Sequence, residues 1–209
     1  MRKELVMLRI SEQRSRLLFL VLAFCLAPSA ALAHTGIGGT SGFMHGFMHP
    51  LSGFDHQLVM ILVGIFAYQL GGRALWLVPL TFVTVMALGG LLGVNGMPLA
   101  FVELGIALSV IVLGAIVAFG VKAPVAVAMG VVGLFAVFHG HAHGSEMPLD
   151  ALGVAYGLGF MLATALLHAV GIGVGLLIGM SSKTLGDNVY RAVGGLASIA
   201  GVALLFGYI

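Results

Sequence analysis

The sequence predicts an all-α integral membrane protein: six transmembrane helices in one compact bundle after a cleaved signal peptide, with both mature termini on the periplasmic side. Three observations predict it. The 209 residues are 60% hydrophobic and 8% charged, with a mean hydropathy of +1.16, whereas soluble domains carry roughly 25% charged residues. The apolar residues gather into six long segments separated by Gly, Pro and Asn. The 32 glycines suit helices that pack in lipid, where a missing side chain lets two backbones approach closely.

The first element is the leader. Arg2, Lys3, Arg9, Arg14 and Arg16 are five of the nine Lys and Arg residues. The apolar run 17–27, Pro28 and the stretch ending in Ala31-Leu32-Ala33 complete the n-region, h-region and A-x-A pattern of a secretory signal peptide, with cleavage expected after Ala33. The run is shorter than the ~20 residues a span needs. Residues 1–33 are therefore read as signal peptide and 34–209 as the membrane domain. Basic charge confined to a leader gives no support to a nucleic-acid partner. The single cysteine, Cys25, also lies in the leader. Any metal site in the mature chain must then use His, Asp, Glu, Met or backbone atoms.

The six apolar segments are 51–71, 74–94, 98–121, 124–139, 150–179 and 188–209. Gly71-Gly72-Arg73, Asn95-Gly96-Met97-Pro98, Lys122-Ala123-Pro124, a His-rich loop and the stretch from Ser181 to Asn188 separate them. Pro98 and Pro124 suit first-turn positions, where a missing N–H is harmless. Asp150 and Asp187 are expected to cap the fifth and sixth helices. With His34 outside, the loops alternate so that Arg73, Lys122, Lys183 and Arg191 all fall inside, as the positive-inside rule requires. Both His clusters then share the outer face.

Those clusters carry the chemistry. In His49-Pro-Leu-Ser-Gly-Phe-Asp55-His56, Pro50 opens the helix and His49 caps it. If the segment is helical, His49 and His56 share one face, with Met60 one turn below His56. In Phe138-His139-Gly-His141-Ala-His143-Gly-Ser-Glu146 the histidines alternate. Such a stretch presents either His139 and His143 together with His141 turned away, or the reverse. Glu146 is a ligand or a group that fixes a histidine tautomer. Imidazole and carboxylate at a membrane boundary are costly to bury and suit Ni, Co, Cu or Zn better than Mg or Ca. Further candidates are His45, four residues before His49, and His34, whose amine and ring chelate an ion unless the glycine-rich tail is simply loose. Glu103 is expected buried near the outer face as a pathway group. His168, one turn after Thr164, is a candidate station in the inner half of the fifth segment.

The leader, six segments and two motifs together resemble the HupE/UreJ family of nickel and cobalt permeases, over essentially the whole chain. The stretch Gly159-Phe-Met-Leu-Ala-Thr164-Ala-Leu-Leu-His168 is similar to the family's signature in the fifth helix. The resemblance implies secondary transport of Ni(II) or Co(II) across the bacterial inner membrane, feeding a hydrogenase or urease maturation system. It implies metal handling by His49, Asp55 and His56 in one motif and by His139, His143 and Glu146 in the other, with His141 at a variable position. No prosthetic group is expected, because the metal is cargo.

The sequence has no G-x-x-x-x-G-K-[ST] loop, so the membrane potential is the expected drive. A dication moving inward gains ~4.6 kcal/mol per 100 mV, enough for about thousandfold accumulation. Imidazole titrates near pH 6.5, so uptake is expected to fall in acid. Two rival readings are an intramembrane metal-dependent hydrolase with Glu146 or Glu103 as base, and a metal sensor or accessory subunit that transports nothing. The first lacks an H-E-x-x-H motif.

Overall fold

A computed structural model describes residues 42–145, 147 and 153–208. The described chain forms seven helices: α1 Gly42–Ser52, α2 Phe54–Leu70, α3 Ala74–Val94, α4 Val102–Phe119, α5 Val125–Ser145, α6 Gly153–Gly179 and α7 Lys183–Leu205. No strand occurs among the described residues. Helices α3 to α7 are each long and apolar enough to cross a membrane. The pair α1 and α2 passes the same test only jointly and is bent by 82°. Among the described residues the candidate spans therefore number five, or six if the bent pair is one. The leader, the expected cleavage after Ala33, His34, Glu146 and Asp150 lie outside the described residues.

The bent pair corrects the expected start of the bundle. Pro50 lies inside α1 rather than opening the next helix. It stands near the helix end, where its missing N–H removes a single backbone bond. The chain breaks at Gly53, whose extended backbone (φ −93°, ψ 121°) starts α2. The loose carbonyls of α1 find partners: Ser52 Oγ donates to His49 O at 2.6 Å, and Gln57 Nε2 donates to Leu51 O at 2.6 Å. His49 and His56 thus sit on two helices, not on one face of one.

Other boundaries shift for local reasons. Helix α4 begins at Val102 because Phe101 adopts a left-handed backbone (φ 60°), leaving Pro98 in the connection. Ser182, not Asp187, caps α7, accepting a bond from Leu185 N at 3.4 Å. Asp187 instead faces Lys183 across one turn at 3.7 Å. Helix α5 extends to Ser145 and absorbs the His-rich stretch expected as a loop. In hydrocarbon a backbone without water must bond to itself, so Gly-His-Ala-His-Gly stays helical despite its composition.

Glycines set which helices touch backbone to backbone. A Cβ at Gly140 would strike Met86 O, and one at Gly144 would strike Gly90 O, so α3 and α5 meet along a seam that also contains Gly89 and Gly93. A second seam joins α6 to α1 through Gly46 and Gly159, and α6 to α2 through Gly64 and Gly171. A third joins α4 to α7 through Gly114, Gly194 and Gly201. Each pair is a small-residue contact of the kind that packs helices in lipid. Between the seams lie large buried side chains, among them Met60, Phe66, Phe82 and Met86, while Trp76, Leu88, Leu134 and Ile199 face outward as lipid-side residues.

Candidate functional site

Three pieces of chain converge near one end of the bundle. The bend at Gly53 carries His49 on α1 beside Asp55 and His56 on the first turn of α2. Helix α5 brings His139 and His143, one turn apart and hence on one face. Glycines 140 and 144 sit one position further round that helix, so the seam with α3 fixes the azimuth at which the two imidazoles project.

The imidazoles form a file. The ring of His49 stands edge-on to that of His143 with centroids 4.7 Å apart, His143 to His56 is 4.2 Å, and His56 to His139 is 4.8 Å. The Nε2 atoms of His56 and His143 face one another. His56 Nδ1 meets Asp55 Oδ1 at 2.8 Å. As the carboxylate only accepts, the ring carries a proton on Nδ1, and in the neutral ring the Nε2 lone pair is turned toward His143. The file continues inward: Phe82 lies 5.8 Å from His139 and 5.2 Å from His168, centroid to centroid. His168 is 1% exposed, and neither ring nitrogen has a hydrogen-bond partner. A polar group so placed is costly unless it acts on something.

A pocket of about 230 Å³ opens onto the file, lined by His49, Ser52, Asp55, His56, Glu103 and His143 among others. Glu103 is exposed in the first turn of α4, not buried as expected, and stands at the pocket's rim. His45 is exposed further out, 5.7 Å from the ring of Tyr156. His141 is turned away from the file, its Nε2 donating to Met97 O at 2.7 Å. Met60 is fully buried one turn below His56. The structure thus brings His49, Asp55, His56, His139 and His143 together, with Glu103 at the entrance and His168 beyond. Among the described residues no three His, Asp, Glu or Cys side chains are arranged as a closed metal cage. The donors succeed one another instead of surrounding a point.

Sequence reasoning missed the rings that pack this file, Tyr156 and Phe160 on α6, with Phe160 4.4 Å from His143. It also missed Ser109, fully buried on α4 and 2.9 Å from His139 Nε2. The available signal was a lone hydroxyl in a helix whose other residues beyond Glu103 are apolar.

The opposite end holds a second pocket, of about 440 Å³, lined by Tyr68, Gln69, Lys122, Asp187, Tyr190 and Arg191 among others. Lys122 Nζ donates to Gln69 O, the carbonyl near the end of α2. The four basic residues among the described residues, Arg73, Lys122, Lys183 and Arg191, lie at this end, so the two ends of the bundle differ in charge as the alternation of loops predicts.

The sequence profile of the HupE / UreJ protein family matches residues 22–204. The chain is 48% identical over 186 residues to Protein HupE of Rhizobium leguminosarum bv. viciae, covering 89% of this chain and 95% of that protein. No solved structure matches. The chain belongs to the HupE/UreJ family.

Proposed function

We propose that this member of the HupE/UreJ family is a secondary transporter that imports a divalent transition metal, Ni(II) or Co(II), across the bacterial inner membrane, with the histidine end facing the periplasm. The observation that carries the reading is the file of four imidazoles leading from a carboxylate-rimmed pocket toward His168. Borderline cations favour neutral imidazole, and conduction needs several exchangeable sites in series more than one deep well. An open succession of donors meets that need.

In this reading Glu103, Asp55 and His49 collect the hydrated ion at the mouth. Water is exchanged for imidazole nitrogen at His143 and His56, then at His139. Phe82 separates that group from His168, the buried histidine nearest the basic end among the described residues. Glu146, outside the described residues, is assigned a metal-handling role with His139 and His143 on its place in the second motif. Hydrogenase or urease maturation would consume the imported ion.

The test is uptake of radiolabelled Ni(II) and Co(II) into vesicles that hold only the purified full-length protein, with an inside-negative potential imposed. Accumulation that follows the potential and disappears in His56→Ala and His143→Ala is expected. Vesicles that bind metal but never concentrate it would sink the transport reading.

A further inference from the structure

We propose that Ser109 is a positioning residue that holds His139 in one tautomer, with the proton on Nε2 and the lone pair on Nδ1, so that His139 offers Nδ1 to the metal where His56 offers Nε2. The inference rests on the transport reading for its functional consequence. Its structural half stands on hydrogen bonds alone.

Ser109 Oγ lies 2.6 Å from Ile106 O, one turn back on α4. A carbonyl oxygen only accepts, so the hydroxyl proton is committed to that bond. Ser109 Oγ also lies 2.9 Å from His139 Nε2. With its own proton engaged, the oxygen can only accept there, and the proton in this second contact has to be on the ring. His139 Nδ1 is then unprotonated in the neutral ring. That atom is buried without a hydrogen-bond partner, on a side chain that is 0% exposed. Asp55 imposes the opposite tautomer on His56 by accepting from Nδ1. Two neighbouring rings are thus set in opposite senses by two different helices. A dication passing from His56 to His139 moves from an Nε2 donor to an Nδ1 donor. Such orienting partners raise ligand basicity and remove the entropy of ring flipping.

The experiment combines spectroscopy with transport, using full-length protein carrying ring-labelled ¹⁵N-histidine in lipid. The His139 signals are identified by their loss in His139→Gln. In the wild type they are expected at the Nε2–H, Nδ1-bare tautomer. Ser109→Ala should give a mixture of tautomers and raise the KM for Ni(II) by about 10–100-fold, the usual effect of losing an orienting partner. Ser109→Thr, which keeps a hydroxyl able to bond back along the helix, should restore most of both. A wild-type His139 protonated on Nδ1 would overturn the proposal, and that result needs no variant to fold. So would Ser109→Ala with unchanged nitrogen signals and unchanged KM. If wild-type vesicles take up no metal, the transport reading fails, while the wild-type nitrogen spectrum still decides whether Ser109 sets the ring.

Discussion

At one end of the bundle His56, His139 and His143 are buried, neutral-capable donors packed ring against ring, with carboxylates at the rim. At the other, Lys122, Lys183 and Arg191 are solvated cations, and the Lys183 side chain is 93% exposed in its pairing with Asp187. The difference teaches where energy can be stored. On the transport reading, a buried imidazole whose ring is held by Asp55 or Ser109 would lose or gain whole coordination bonds when a neighbour changes, whereas an exposed ion pair is worth about 0–1 kcal/mol. Selectivity should therefore be written at the histidine end and orientation in the membrane at the basic end.

The sharpest way to break this comparison is at His143, which touches His49, His56 and Phe160. His143→Ala should reduce uptake by at least about 100-fold, since a direct donor matters no less than the orienting partners whose loss costs about 10–100-fold. Next comes the seam that aims it. Gly140→Val drives side-chain atoms into Met86 O, and overpacking of this kind costs about 1–3 kcal/mol or more. The melting temperature in detergent should fall, and uptake with it. Asp55→Asn keeps the shape but lets the His56 ring choose either tautomer, so KM should rise by about 10-fold or more with the fold intact by circular dichroism. At the basic end the expected effect is smallest. Lys183→Ala should shift stability by no more than about 0.5 kcal/mol and leave the transport rate unchanged. A large transport defect there would show that the two ends are not divided as argued.

Much of this was legible in the sequence because lipid enforces simple rules. Span α3 falls where hydropathy puts it, at 74–94, and the grouping of Arg73, Lys122, Lys183 and Arg191 opposite the histidines follows from loop alternation. Two errors have one cause. Gly42–Ser52 and the end of α5 are rich in Gly and His, so their composition reads as loop. The requirement that every backbone group be bonded makes them helix. Pro50 compounded the first error, since proline suits a helix start and here lies inside α1 at the cost of one backbone bond. Glu103 was placed too deep because the start of α4 depends on the backbone of Phe101, which composition does not encode. The file itself was readable only as a set of candidates. That His139 and His143 face inward while His141 faces Met97 is decided by helical phase, once the stretch is known to be helical.

The glycine seams divide the bundle into three units: α1 with α2 and α6, α3 with α5, and α4 with α7. His49 and His56 ride on the first, His139 and His143 on the second, Ser109 and Glu103 on the third. Within a unit, sliding is blocked by main chain against main chain. Between units side-chain contacts such as Phe138 on Gly105 re-pack at lower cost, with a main-chain approach of α7 to α6 at Gly186 and Ile178 O. On the transport reading, the ion's route would run along the common edge of these blocks, like a key passing between the plates of a lock. Successive rings of the file, His49, His143, His56 and His139, alternate between the first block and the second, so on the transport reading a shear of those two blocks would change the ligand spacing at each step together.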